Sequence, residues 1–106
     1  MINNQLKSFG DYIRKLRIDL DLPLRKVAAY LDIDPSTLGK IERNERKAPK
    51  ELINKLAKIL KANSKELLIS YYSDMIAKEI YNDGFTEDIL KVSEQKINYL
   101  KKINND

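Results

Sequence analysis

The chain contains no cysteine, no histidine and no tryptophan. Without cysteine there can be no disulfide framework, and this cysteine usage predicts an intracellular, cytoplasmic protein. Without histidine or cysteine the chain also lacks a histidine base, a thiol nucleophile and the commonest transition-metal ligands. No glycine-rich phosphate-binding loop occurs. We therefore expect no enzymatic activity, no metal, no cofactor and no small-molecule ligand.

Glycine and proline are scarce, with three of each, while charged residues make up 34% of the chain and hydrophobic residues 42%. These proportions are typical of a folded protein, and the scarcity of turn residues favours an all-α fold. No apolar run approaches the roughly 20 residues of a membrane span, and the first residues lack a secretory apolar segment. We therefore expect no membrane partner.

The net charge of +4 is unevenly distributed along the chain. Residues 1–50 hold 11 Lys or Arg against 7 Asp or Glu, whereas residues 51–106 hold 9 of each. The whole positive surplus therefore lies in the first half. This asymmetry predicts a polyanionic partner for that half.

Residues 22–49 carry the most informative pattern, which predicts two short helices joined by a tight turn. The second helix is expected to begin at Pro35, because proline suits the first helical position, with the Asp34 carboxylate as its cap. Its outward residues are short or cationic, which suits a surface that faces base edges and phosphates. The first helix is predicted from apolar residues at helical spacing, which are Leu24, Val27, Ala28 and Leu31.

This stretch resembles the DNA-binding domain of phage repressors of the Xre/Cro type, over about residues 9–68. Pro23 and Leu24 replace the usual Ser/Thr-Gln pair, so the glutamine contact to DNA that is typical of the family cannot be carried over. The matching residues are Leu16-Arg17, Leu22, Val27-Ala28, Ile33, Leu38, Lys40-Ile41-Glu42, Arg46 or Lys47, and Pro49. Residues that tolerate a left-handed backbone stand where glycine is common in the family, namely Asp21, Asp32 and Asn44.

The resemblance implies DNA-contacting roles for individual residues. Side chains on the outward face of the second motif helix are expected to contact bases: Ser36, Thr37, Gly39, Lys40 and Arg43. Gly39, which has no side chain, is expected to let the helix or a base approach closely. Cations on the flanks of the motif and in the following loop are expected to contact phosphates: Arg25, Arg46, Lys47 and Lys50. Arg17 and Glu42 match positions that form a structural ion pair in the family.

Helical patterns continue on both sides of the motif. Residues 1–7 are predicted to form a short polar arm, followed by a helix that Ser8 caps and that runs to about Leu20. A fourth helix is predicted to start at Pro49, and a fifth to run from Ser64 or Lys65 to Tyr81. A turn at residues 82–84 then precedes a sixth helix over about 86–103. We expect a five-helix lambda-repressor-like domain over residues 1–82 and a helical extension over 83–106.

The predicted fifth helix is apolar on more than one face, which a chain this small cannot cover by itself. The sixth helix has near-heptad apolar spacing. We therefore expect a two-fold homodimer. Its interface is predicted to include Tyr71, Tyr72, Met75, Ile76, Ile80, Ile89, Val92, Tyr99, Leu100 and Ile103.

These features predict a sequence-specific DNA-binding transcriptional regulator that acts as a homodimer on a pseudo-palindromic operator. Small proteins of this type include controller proteins of restriction-modification systems, antitoxins and phage-type repressors, of which the controller role is favoured. The alternative from another class is a protein-interaction module that uses the same scaffold and has lost DNA binding.

Overall fold

The computed structural model describes residues 7–105, and all regular secondary structure in that range is helical. The predicted all-α fold is confirmed. The elements are α1 (Phe9–Asp19), α2 (Leu24–Leu31), α3 (Pro35–Glu42), a 3₁₀ turn (Lys50–Leu52), α4 (Ile53–Ile59), α5 (Ser64–Ile80) and α6 (Thr86–Asn104). Apart from Lys7, the predicted N-terminal arm lies outside the described residues. None of the described helices combines the length and the hydropathy that crossing a bilayer requires.

The chain divides into two compact units, one ending at Met75 and the other beginning at Ile76. The division falls inside α5, whereas the sequence placed the start of the extension at residue 83. Residues 64–75 of α5 therefore belong to the first unit. The functional division into 1–82 and 83–106 remains a prediction.

The first unit is built around the apolar faces of α1 to α5. Val27, Ala28 and Leu31 of the α2 stripe are buried as its spacing predicts, and Leu38 and Ile41 of α3 are each 2% exposed or less. Leu16, Leu22 and Leu24 pack partly buried against this core. Its buried members are Phe9, Tyr12, Ile13, Val27, Ala28, Leu31, Leu38, Ile41, Ala48, Ile53, Leu56, Ala57, Leu60, Leu67 and Tyr71.

Tyr71 belongs to this core, so its assignment to an exposed dimer face is wrong. Its hydroxyl donates a 2.6 Å hydrogen bond to the carbonyl oxygen of Ala48. Its ring packs edge-on against Phe9, with 5.4 Å between the ring centroids. Burial raises the pKa of Tyr71. The side chain is held inside the fold because this hydroxyl satisfies a carbonyl of the loop before α4.

Four helices are each followed, within two residues, by a residue with positive φ. The φ values are 55° at Asp21, 59° at Asp32, 63° at Asn44 and 52° at Lys61. After α3 the Glu45 N–H bonds to the Lys40 carbonyl at 2.9 Å, and the Asn44 N–H bonds to the Ile41 carbonyl at 3.1 Å. This is the Schellman arrangement of a helix C-terminus. The predicted left-handed turns are confirmed, while the one at Lys61 carries no turn signal in the sequence.

The helix N-termini depart from the predicted caps in two places. Ser8 caps α1 by accepting from the Asp11 N–H at 3.3 Å, as expected. Asp34 has the extended backbone of an N-cap but makes no side-chain cap hydrogen bond, so its predicted carboxylate cap is wrong. Pro35 has no N–H and so removes one of the four unpaired donors at the start of α3. Pro49 is followed by a 3₁₀ turn, so α4 begins at Ile53 rather than at Pro49.

Candidate nucleic-acid interface

The motif is formed by α2, a tight turn and α3. α2 ends at Leu31, and the Ile33 N–H, one residue before the cap of α3, bonds back to the Ala28 carbonyl at 3.0 Å. Burial of Leu38 and Ile41 fixes which side of α3 faces inward. Because a helix turns about 100° per residue, the opposite side of α3 must face solvent.

That outward side carries most of the predicted base-contacting residues. Ser36 and Lys40 are exposed, and the Arg43 side chain at the end of α3 is 58% exposed. These three residues follow the i, i+4, i+7 spacing that places side chains along one face of a helix. Thr37 is half-buried beside them. The outward face of α3 therefore presents two hydroxyl groups, an ammonium and a guanidinium.

Gly39 does not lie on the exposed face as the sequence predicted, because it is buried. A Cβ atom added there would lie 3.1 Å from Nη1 of Arg43 and 3.7 Å from Cδ2 of Leu24. The space above Gly39 is thus occupied by Arg43 and by Leu24, the residue that replaces the glutamine usual in similar proteins. Contact of Gly39 with a base remains a prediction that requires Arg43 to move.

Arg43 has an intramolecular partner that the sequence did not reveal. Its Nε donates to Oε2 of Glu45 at 3.0 Å, and its Nη2 donates to Oε1 at 3.5 Å. The hydrogen bond from Arg43 lowers the pKa of the Glu45 carboxyl, and the charge of Lys40 lowers it further. Spacing alone does not pair residues 43 and 45; the left-handed turn at Asn44 brings Glu45 back towards the end of α3.

The predicted phosphate-contacting residues lie in α2, in the loop after α3 and in the 3₁₀ turn. Arg25, Arg46, Lys47 and Lys50 are all exposed. Arg46 lines an open depression together with Thr37, so a predicted phosphate contact and a predicted base contact lie side by side. The remaining residues of that depression are Ala29, Asp32, Ile33 and Asp34. The Lys50 ammonium lies 5.7 Å from the ring centroid of Tyr72, in cation–π contact.

Arg17 and Glu42, the expected ion pair, join α1 to α3. Nε of Arg17 donates to Oε2 of Glu42 at 2.7 Å, and Nη2 donates to Oε1 at 3.0 Å. Nη1 donates to the carbonyl oxygen of Leu22 at 2.9 Å. The two side chains are 14% and 5% exposed, and the Glu42 hydrogen bond raises the pKa of Arg17. This two-point pair fixes the orientation of α3 relative to α1.

A second connection between α1 and α3 was not singled out from the sequence. The Gly10 N–H donates to Oδ1 of Asn44 at 3.1 Å, and Nδ2 of Asn44 donates to Oδ1 of Asp11 at 3.4 Å. A Cβ atom on Gly10 would collide with the carbonyl oxygens of Ile41 and Glu42. Glycine at this position therefore permits the start of α1 to press against the end of α3. The sequence signal was a glycine inside a predicted helix.

A family model described as helix-turn-helix matches residues 13–67, which is more than half of the chain. The chain belongs to the Xre-type helix-turn-helix family. The matched range contains α2 and α3, so the resemblance predicted over about residues 9–68 is confirmed. The family consists of DNA-binding transcription regulators and is not an enzyme class.

Two individual proteins are similar to this helix-turn-helix chain. One is an uncharacterized HTH-type transcriptional regulator, RghRB, of Bacillus subtilis (strain 168), which is 32% identical over 90 residues. That match covers 84% of this chain and 59% of the relative's length. The other is the crystal structure of the clp gene regulator ClgR from Corynebacterium glutamicum, with a TM-score of 0.54 and 25% sequence identity. This structural match covers 83% of the present chain and 88% of the ClgR chain.

Proposed function

We propose that this helix-turn-helix regulator binds DNA as a homodimer and recognises a pseudo-palindromic operator, with α3 of each subunit in the major groove of one half-site. The observation that carries the proposal is the polar and cationic outward face of α3. The Arg17–Glu42 ion pair fixes α3 to α1 on the other side of the helix and so keeps this face turned to solvent. A helix held in this way presents its side chains to base edges in one orientation, which sequence readout requires.

Four side chains on or beside α3 are proposed to read bases. The hydroxyl groups of Ser36 and Thr37 can donate to or accept from any base, and the Thr37 methyl can contact a thymine methyl. Lys40 and Arg43 suit the two acceptors of guanine. Because Arg43 is paired with Glu45 in the free protein, its contact with a base competes with that carboxylate.

The exposed cations Arg25, Arg46, Lys47 and Lys50 are proposed to contact phosphates. Each contact releases counterions from the duplex, so the logarithm of affinity falls with the logarithm of salt concentration by about 0.9 per contact. If all four form, one subunit contributes a slope of about −3.6.

The homodimer is supported by the large apolar side chains that the second half of the chain exposes. A single α3 reads only a few base pairs, and two copies on one duplex face multiply its specificity. With Tyr71 assigned to the core, the proposed interface residues are Tyr72, Met75, Ile76, Ile80, Ile89, Val92, Tyr99, Leu100 and Ile103.

Titration of random and selected duplexes at two salt concentrations tests this function. A regulator shows one preferred site and a steep salt slope, whereas flat salt dependence with no preferred duplex contradicts the proposal. Lys40→Ala should relax the preference at one base position, while the matched variant Lys47→Ala should weaken all sequences alike. Identical effects of the two variants would contradict the assigned roles.

The exposed apolar face of α6 also supports a second candidate, an antitoxin or protein-interaction module on the same scaffold. Such a module would bind a different protein through α6 and would show no preferred duplex. Within the regulator class, the favoured role is control of restriction-modification genes. A methyltransferase gene beside the coding sequence supports that role, whereas a toxin gene or a phage operon contradicts it.

A further inference from the structure

Leu24 lies beside the proposed DNA-binding face of α3. It is the first residue of α2, and its side chain is half-buried, packed against the core with part of its surface in solvent. Its Cδ2 atom lies 3.7 Å from the position that a Cβ atom of Gly39 would occupy. Nη1 of Arg43 lies 3.1 Å from the same position. Leu24 and Arg43 therefore cover Gly39 together.

The place of Gly39 on α3 puts this contact at the border of the outward face. At 100° per residue Gly39 lies about 40° around the helix from Arg43, which belongs to that face. Because Gly39 has no side chain, the side chains of Leu24 and Arg43 occupy the space that α3 leaves open there. The next residue of α2, Arg25, is exposed and is one of the proposed phosphate contacts. An apolar side chain thus adjoins the polar and cationic face of α3.

An apolar side chain at a DNA surface discriminates between bases because it forms no hydrogen bond. Any donor or acceptor of a base edge that it covers loses its water and gains no partner, which disfavours that base. Thymine is the base that presents an apolar group in the major groove, its 5-methyl group. Contact between that methyl group and a leucine removes apolar surface of both from water. A leucine at this place therefore favours thymine.

We propose that Leu24 contacts the 5-methyl group of a thymine in each half-site. The inference rests on the proposed placement of α3 in the major groove, and it adds a specificity-determining residue from α2. Thr37 can also contact a thymine methyl group, but it lies about 160° around α3 from Gly39. Leu24 and Thr37 therefore flank opposite sides of the outward face and contact different bases.

Replacing thymine by uracil tests this contact, because the change removes the methyl group and keeps every hydrogen-bonding atom of the base. The probe is the duplex that the wild-type chain prefers in selection, and each of its thymines is replaced in turn. At one position the change should weaken binding about fourfold for each half-site that carries it, which corresponds to one buried methyl group.

Variants of Leu24 assign the lost contact to this side chain. Leu24→Gln, which introduces the residue usual in similar proteins, and Leu24→Ala should each bind the thymine and uracil duplexes equally. Leu24→Met keeps an apolar side chain and should keep the preference for thymine. The matched control is Thr37→Ser, which removes the other methyl-contacting group and should also keep that preference. Measuring the ratio of the two affinities well below each melting temperature separates this effect from a loss of stability.

The outcomes separate this inference from the proposed function. A wild-type chain without a preferred duplex contradicts both. A preferred duplex in which no uracil substitution weakens binding overturns only the Leu24 contact. The same holds if every uracil effect persists in Leu24→Gln and Leu24→Ala. It also holds if the effect that these variants remove is lost in Leu24→Met or Thr37→Ser as well, because the loss is then not specific to an apolar side chain at this position.

Discussion

Removing the Arg17 side chain should destabilise the fold and weaken DNA binding together. Arg17→Ala deletes two charged hydrogen bonds to Glu42 and one to the carbonyl of Leu22. The Glu42 carboxylate, 5% exposed, then remains in the core without its cation. Loss of one partner of a buried pair costs about 3–5 kcal/mol, because the remaining charge has lost both its water and its counter-charge.

For a domain of 60–100 residues, 1 kcal/mol corresponds to a shift in melting temperature of about 4–8 °C. Arg17→Ala should therefore melt at least about 12 °C below the wild-type chain. The same helix offers a matched control, since Lys15 and Asp19 form a 2.8 Å salt bridge with side chains that are 49% and 56% exposed. Lys15→Ala should cost less than about 0.5 kcal/mol, because water screens this pair.

Thermal unfolding followed by circular dichroism measures both variants, and duplex titration measures the effect on binding. A double variant, Arg17→Met with Glu42→Leu, removes both charges and should be more stable than Arg17→Ala. Equal melting temperatures for Arg17→Ala and the wild-type chain would refute the reasoning. So would a double variant less stable than Arg17→Ala, because the main cost would then not come from the unpaired carboxylate.

Further variants test three other features of the fold and the interface. Gly10→Ala should lower the free energy of unfolding by about 1–3 kcal/mol through overpacking, and it should also weaken DNA binding. The control is Gly84→Ala, where an added Cβ meets nothing within 4 Å, and it should leave the melting temperature unchanged. Equal melting temperatures of the two variants would contradict this. Lys61→Gly should stabilise the chain by up to about 1 kcal/mol by relieving its positive φ. The same change at Asn44 should not stabilise, since it removes hydrogen bonds to Gly10 and Asp11, and a gain there would be evidence against them. Glu45→Gln should raise the affinity for random duplexes, because it removes an anion that competes with phosphate; lower affinity would instead make Glu45 a positioning residue.

Local patterns predicted most of the helices. The α2 stripe and the proline at the start of α3 gave helix bounds within one residue of those observed, because amphipathic spacing and proline chemistry act over one or two turns. The predicted left-handed residues Asp21, Asp32 and Asn44 all have positive φ. Lys61 escaped prediction because lysine carries no turn preference; its positive φ accompanies the 2.9 Å hydrogen bond from the Ala62 N–H to the Ala57 carbonyl that closes the end of α4.

The candidate interface was predicted residue by residue, but its internal contacts were not. Helical spacing placed Gly39 outward, whereas the Arg43 and Leu24 side chains bury it. Tyr71 was placed on a dimer face, and its hydroxyl instead reaches the Ala48 carbonyl in a loop far away in sequence. Spacing predicts the direction of a side chain, but it does not predict what will cover that side chain.

The sequence by itself therefore determined the helices, the cationic first half of the chain and the membership of the family. These follow from local spacing and from residue types that need no partner. The family resemblance also implied the pair of Arg17 with Glu42, whereas only the tertiary structure decided how Gly10 and Asn44 connect α1 to α3 and how Glu45 holds Arg43. The contact of Gly10 with Asn44 depends on the approach of segments that are distant in sequence, and the contact of Glu45 with Arg43 depends on the left-handed turn at Asn44.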